Sequence, residues 1–220
     1  MDSGGFSTFI FDVNGVLIDS NAANSDAMGK AFTDDPVLQR RIARHYLGLT
    51  GIDRGSKIRD IQQRVICRPF AENEFELRWE RFKNLCLETM LKAPLGAGVP
   101  EVLSKLGDMG HTRVALSNTP PDELGTILAG HGLVKYLDII RGGGNWPKSE
   151  SLVRLLEEFQ FRPEKCFFLG DGKGDLKAAR AAGVAFGAID PGSGEFDRES
   201  GFAGPFRNLA GWGRHVGLID

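Results

Sequence analysis

The sequence predicts an α/β protein: a doubly wound parallel sheet of five or more strands, with an α-helical segment inserted after the first strand. Three observations carry this. Five short runs rich in Val, Ile, Leu and Phe are almost continuously apolar rather than alternating, the pattern of strands covered on both faces. Helical stretches separate the last four runs, and parallel strands need such crossovers, which are right-handed. Between Phe11 and Pro94 the alternation stops: no strand-like run appears, and apolar residues recur at three- and four-residue spacing instead.

In chain order, Thr8 to Phe11 reads as the first strand. The helix-like segments after it include Ser56 to Ile66 and Glu72 to Leu91, with Trp79, Phe82, Leu85 and Met90 on one face. Pro94 to Pro100, with glycines at 96 and 98, reads as a return hinge. A helix over Pro100 to Met109 leads into the second strand, Arg113 to Leu116. The remaining units are a helix over Pro121 to His131, a strand over Leu137 to Ile140, a helix over Ser151 to Phe159, a strand over Cys166 to Leu169, a helix over Asp175 to Ala182 and a strand over Val184 to Ile189. The expected division is a core of residues 1–17 and 93–220 and a helical domain of residues 18–92. Gly192 to Gly217 is glycine-rich with weak periodicity, and no element is assigned there.

The chain has 220 residues, enough for one good-sized domain carrying a smaller inserted one. A hydrophobic share of 41%, a charged share of 25% and a formal charge of -2 provide no basic field for nucleic acid or anionic membrane. No run approaches the ~18 apolar residues of a membrane span, and the N-terminus lacks a signal-peptide layout. Cys67, Cys86 and Cys166 are too few and too scattered for a disulfide framework or a zinc site. The expectation is a cytoplasmic protein. No feature of the sequence sets an oligomeric state.

In open parallel sheets ligands bind beyond the carboxyl ends of the strands. Asp12, Asn14 and Gly15 follow the first strand; Ser117, Asn118 and Thr119 follow the second. The third is followed by Gly142-Gly143-Gly144 and then Lys148, and the fourth by Gly170-Asp171-Gly172-Lys173-Gly174-Asp175. One rim therefore receives a hydroxyl, an amine and three carboxylates. That set suits phosphoryl transfer. Asp12 can attack phosphorus and form an aspartyl-phosphate. Asp12, Asp171 and Asp175 offer the hard oxygen ligands that Mg²⁺ prefers. Ser117 and nearby backbone N–H groups can hold phosphoryl oxygens, and Lys148 can offset the crowded negative charge. The glycines around Asp171 lack the spacing of a nucleotide-binding loop. Arg54, Lys57 and Arg59 in the helical segment could meet an anionic substrate, although such charges on helices are usually solvated.

Taken together, these motifs resemble those of the haloacid dehalogenase (HAD) superfamily, in particular phosphatases with a helical cap, such as phosphoglycolate phosphatase and β-phosphoglucomutase. The family's D-x-D-G-[TV] motif corresponds to Asp12-Val13-Asn14-Gly15-Val16. Its motif serine is Ser117, its motif lysine is Lys148, and its G-D-x-x-x-D motif is Gly170 to Asp175, followed by Ala178-Ala179-Arg180-Ala181-Ala182-Gly183. The resemblance implies a Rossmann-like core and Mg²⁺ held by Asp12, Asp171, Asp175 and the backbone carbonyl of Asn14. It implies catalysis by Asp12, Ser117 and Lys148. The phosphorylated metabolite would be bound through Gly15, Ser117, Asn118 and Lys148, with Arg54 and Lys57 from the cap.

Asn14 departs from the pattern. The family places an aspartate here as general acid/base, and an amide cannot exchange a proton in that way. The loss is worth ~10²–10⁴-fold in rate. Three readings follow: an engineered substitution, a natural low-activity phosphatase, or another function on the same fold. The last covers a non-catalytic phosphometabolite-binding or regulatory protein, a metal-free dehalogenase, and a phosphonoacetaldehyde hydrolase with a cap lysine as Schiff base. The Asp171/Asp175 pair speaks against the dehalogenase. Lys30 and Lys57 are the lysines open to the hydrolase role, and nothing in the sequence marks either as desolvated.

Overall fold

The computed structural model describes residues 5–50, 52–144 and 146–220. Six strands form a single sheet in the order β3-β2-β1-β4-β5-β6. They are β1 (Thr8–Phe11), β2 (Thr112–Leu116), β3 (Ile139–Arg141), β4 (Cys166–Gly170), β5 (Ala185–Ile189) and β6 (Ala203–Phe206). Every pairing is parallel. The first five overlap the apolar runs read from the sequence, β3 being displaced: it begins at Ile139, not Leu137, and ends at Arg141. The sixth lies in the glycine-rich end and reads Ala-Gly-Pro-Phe, partly exposed. Proline has no N–H to give a ladder, so such a strand fits only at a sheet edge, which is where β6 sits.

Alternation along the strands fills two cores. Phe9, Phe11, Phe167 and Leu169 face α5 (Val99–Asp108), α6 (Pro121–Gly130) and α9 (Leu209–His215). Ile10, Val114, Leu116 and Phe168 face α7 (Lys148–Glu158) and α8 (Lys173–Ala182). Leu103 and Leu106 of α5 and Leu152 and Leu155 of α7 are fully buried, each worth roughly 1.5–3 kcal/mol. Helix α9 was not expected. It starts where the Asn208 side chain accepts the N–H of Gly211, and it places Trp212 against Phe9 and Phe167.

Between β1 and α5 run α1 (Asn21–Phe32), α2 (Pro36–Leu47), α3 (Arg54–Ile61), a π-helical turn over Gln62–Ile66, and α4 (Glu74–Lys92). Ser56 to Ile66 is thus not one α-helix: its second half widens into the π turn. The buried side of α4 carries Phe82, Cys86 and Met90, with Trp79 and Leu85 only partly covered. Helix α1 packs against both α2 and α4. Its buried face mixes Asn24, Ser25 and Gly29 with Ala27, Met28 and Phe32, which blurs the apolar periodicity. Asn24 is satisfied inside that face, its Oδ1 accepting from the Thr89 hydroxyl at 3.1 Å. The chain leaves and re-enters the sheet layer through one paired strip. Asp19 N–H donates to Pro94 O at 2.9 Å, Gly96 N–H donates to Leu17 O at 3.0 Å, and Ile18 bridges Leu95.

Candidate active site

Strand order reverses between β1 and β4: β2 and β3 lie on one side, β5 and β6 on the other. A crevice opens at the carboxyl ends of the strands at such a point. Pairing of Phe11 with Ala115 and with Leu169 sets Ser117 and Asp171 one residue beyond the level of Asp12. Asp12 is 6% exposed, and its N–H is spent on Leu169 O at 2.9 Å, so the residue is fixed at the mouth of the crevice. One carboxylate oxygen each from Asp12, Asp171 and Asp175 lies within 4.8 Å of the others.

The turn after β1 is shaped for this. Gly15 has φ of +84°, and a Cβ there would overlap the Asp171 carboxylate. Glycine removes both the backbone strain and the clash. Asn21, the first residue of α1, donates its side-chain N–H to Asp171 Oδ2 at 2.5 Å. A second glycine brings the next loop in. A Cβ on Gly143 would overlap the carbonyl of Asn118, so the loop after β3 can lie against the loop after β2. Ser117 is buried, and its hydroxyl accepts the N–H of Thr119 at 3.1 Å.

Lys148 opens α7 and is buried at 6% exposure. Its ammonium donates to Asp12 Oδ1 at 2.7 Å and to Asp175 Oδ1 at 2.6 Å. Burial works against its charge, but the two ion pairs outweigh burial, and the lysine holds its proton more tightly than usual. The carboxylates respond in the opposite way. Burial raises Asp12 to about 6, Lys148 holding it down and Asp175 adding to the rise. Burial and then the charges of Asp12 and Asp175 push Asp171 well above the usual carboxylate range. One lysine does not balance three clustered carboxylates. Asn14 adds a buried Oδ1 without a hydrogen-bond partner. Hard oxygen donors, excess negative charge and close spacing fit a divalent cation such as Mg²⁺.

These groups enclose a cavity of about 100 Å³, lined also by Asn14, Asn21, Tyr46, Lys57, Ser117 and Asn118. Of the residues singled out in the sequence, Asp12, Asn14, Ser117, Asn118, Lys148, Asp171, Asp175 and Lys57 therefore meet in one place. Gly15 stands behind Asp171 rather than in the lining. Arg54 is not in this lining; it lines the adjoining cavity, which shares Asn118 and Lys148 with this one. It forms a two-pronged ion pair with Glu123 of α6, at 3.0 and 2.7 Å, both side chains nearly buried, and stacks over Trp79 and Phe82. Desolvation of Lys57, which nothing in the sequence marked, is a property of the folded site. Burial lowers Lys57 to about 8, Asp171 and Asp12 offsetting part of the effect. Asn21, Tyr46 and Glu123 carried no signal in the sequence.

Comparison with known proteins gives one answer. Residues 6–183 match the model of the haloacid dehalogenase-like hydrolase family. The chain is 28% identical over 187 residues to a phosphoglycolate phosphatase of Vibrio vulnificus, covering 80% of this chain and 79% of that protein. A phosphoglycolate phosphatase of Haemophilus influenzae is 27% identical over 189 residues, covering 80% and 81%. Among solved structures, CbbY from Rhodobacter sphaeroides in complex with phosphate superposes with a TM-score of 0.72 at 18% identity, covering 94% of this chain and 95% of that one. A haloacid dehalogenase-like protein from Streptococcus pneumoniae gives a TM-score of 0.67 at 18% identity, covering 84% and 85%. Both structural likenesses speak for the fold alone. With the family model spanning most of the sequence and its motif residues gathered at the strand-order reversal, the chain belongs to the haloacid dehalogenase-like hydrolases.

Proposed function

We propose that this hydrolase is a Mg²⁺-dependent phosphatase that cleaves a small phosphorylated metabolite through an aspartyl-phosphate on Asp12. The observation that carries the reading is the Asp12 carboxylate, within 4.8 Å of Asp171 and Asp175 and 2.7 Å from the Lys148 ammonium. The names of its relatives, phosphoglycolate phosphatases, point to the same reaction class. Residues 18–92 act as a cap over the rim, and residues 1–17 and 93–220 form the core.

Asp12 supplies the nucleophilic oxygen. Burial raises its pKa only to about 6, Lys148 holding it down, so the carboxylate form prevails at pH 7. Lys148 grips Oδ1 and fixes the direction of attack. Ser117, Asn118 and the backbone N–H groups of the two facing loops receive the phosphoryl oxygens, where preorganised donors are most effective. Lys57 and the cap exclude water and add positive charge above the cavity. Asp12, Asp171, Asp175 and the Asn14 carbonyl would hold Mg²⁺, which when bound offsets charge on the phosphoryl oxygens. Asn14 leaves the ordinary acid/base position without an exchangeable proton.

The test is phosphate release from p-nitrophenyl phosphate and 2-phosphoglycolate with Mg²⁺ and with a chelator, for the protein, for Asn14→Asp and for Asp12→Asn. Expected are Mg²⁺-dependent release, faster turnover by Asn14→Asp and none by Asp12→Asn. Absence of release from both the protein and Asn14→Asp removes the phosphatase reading.

A further inference from the structure

We propose that Lys57 is the proton donor to the leaving oxygen, the role that the Asn14 amide cannot fill. The proposal rests on the phosphatase reading and adds a catalytic residue to it.

Two amines line the cavity. Lys148 is committed, with Asp12 and Asp175 at 2.7 and 2.6 Å. Lys57 is not: it makes no ion pair among the described residues, and its ammonium rests 4.2 Å from the centre of the Tyr46 ring. It comes from α3, and the cavity it lines is shared between the helical segment, through Tyr46, Leu49 and Thr50, and the strand ends, through Asp12, Ser117 and Asp171, so Lys57 enters with the helical layer and not with Asp12's strand. In an in-line displacement the leaving oxygen departs away from the attacking one, towards that layer. The surroundings favour release of a proton. Burial lowers Lys57 to about 8; Asp171, Asp12 and Cys86 raise it part of the way back, and Lys148 lowers it. Tyr46 contributes its ring face, and its hydroxyl keeps its proton, held by burial and by Cys86 and Asp171 against the pull of Arg54. A proton donor near its working pH is the most effective kind. Arg54 cannot substitute, because Glu123 holds both of its prongs and a guanidinium does not deprotonate.

The step balances. An Asp12 carboxylate oxygen forms a bond to phosphorus, and the bond from phosphorus to the substrate's bridging oxygen breaks. That oxygen keeps the electron pair, takes a proton from Lys57 Nζ and departs as an alcohol, leaving a neutral amine. A water oxygen then attacks phosphorus. The aspartyl–phosphorus bond breaks with its electrons returned to Asp12, and the water's proton goes to Lys57 Nζ. The sum is phosphomonoester plus water giving alcohol plus phosphate.

Leaving-group dependence tests it. p-Nitrophenyl phosphate and benzyl phosphate are similar in size and charge, but only benzyl alcohol needs a proton to leave. Lys57→Met is expected to lower kcat/KM, which reports phosphoryl transfer and not the shared hydrolysis of the aspartyl-phosphate, by about 10²–10⁴-fold on benzyl phosphate, the usual worth of a general acid, and by far less on p-nitrophenyl phosphate. Lys57→Arg keeps the charge without a transferable proton and is expected to show the same split, which also covers the case in which the Met variant does not fold. Asn14→Asp placed in the Lys57→Met protein is expected to recover benzyl phosphate turnover. Equal losses of kcat/KM on both substrates, full benzyl phosphate activity in Lys57→Arg, or an unmodified protein inert on benzyl phosphate while active on the aryl ester would each overturn the proposal. An unmodified protein and an Asn14→Asp protein inert on both esters would instead remove the phosphatase reading beneath it.

Discussion

The ammonium of Lys148 lies 2.7 Å from Oδ1 of Asp12, and both side chains are buried. That contact holds the nucleophile charged where burial alone would favour its acid form. Lys148→Met is expected to lower kcat/KM by about 10²–10³-fold, comparable to removing an oxyanion-hole donor. It leaves Asp12 and Asp175 without their cation, and breaking a buried pair costs about 3–5 kcal/mol. Enzyme assays and urea denaturation measure the two effects; a variant with unchanged turnover would show that the contact is structural only.

Asp12 and Asp171 carry a pH signature. Folded Asp12 keeps its proton up to about 6, whereas the ordinary value is 3.8, and Asp171 shifts in the same direction. The folded state therefore binds more protons than the unfolded state across that window. Their contribution to stability is fully present below about 3.8 and is lost as pH rises through 6. A divalent cation removes the repulsion, so Mg²⁺ is expected to raise Tm at pH 7 far more than at pH 4. Saturation to 100 times Kd corresponds to about 2.7 kcal/mol. Asp171→Asn is expected to abolish the Mg²⁺ effect. Melting curves that ignore Mg²⁺ at pH 7 would reject the metal site.

Gly15→Ala tests the turn. Its φ of +84° is unfavourable for any residue with a Cβ, by roughly 1–2 kcal/mol, and the new methyl group overlaps the Asp171 carboxylate. The variant is expected to lose Mg²⁺ affinity by calorimetry as well as stability. Intact affinity would mean that Asp171 can move aside without consequence.

Arg54 and Glu123 join the helical layer to α6 through two hydrogen bonds in a nearly dry setting. Removal of either partner strands the other charge, so Arg54→Met and Glu123→Gln are each expected to cost about 3–5 kcal/mol. The double variant should cost clearly less than the sum. Additive losses, read from urea denaturation, would show that the pair is not coupled.

The site was readable to the extent that it grows from strand ends. Asp12, Ser117 and Asp171 each follow an apolar run almost at once, and such runs stand out because both faces are buried. Asn21, Tyr46 and Glu123 come from helices instead. A polar residue on a helix is ordinary, and only packing decides which one turns towards the rim. Asn21 reaches Asp171 across 150 positions of sequence. The same limit hid β6, whose four residues include a glycine and a proline and gain their order from pairing with β5. It also hid α1, whose buried face holds Asn24 and Ser25.

By itself the sequence determined the parallel sheet, the helical interruption after β1 and the order in which chemical groups arrive at the rim. These are local properties: apolar runs, turn-forming glycines and residue types at fixed offsets. Tertiary structure alone decided that Arg54 is spent on Glu123, that Lys57 stands over Tyr46 in the cavity, and that Asp12 is lifted to about 6. Each of these depends on burial and on charges brought together from distant parts of the chain, and electrostatic energy depends on distance and dielectric surroundings, not on separation along the sequence.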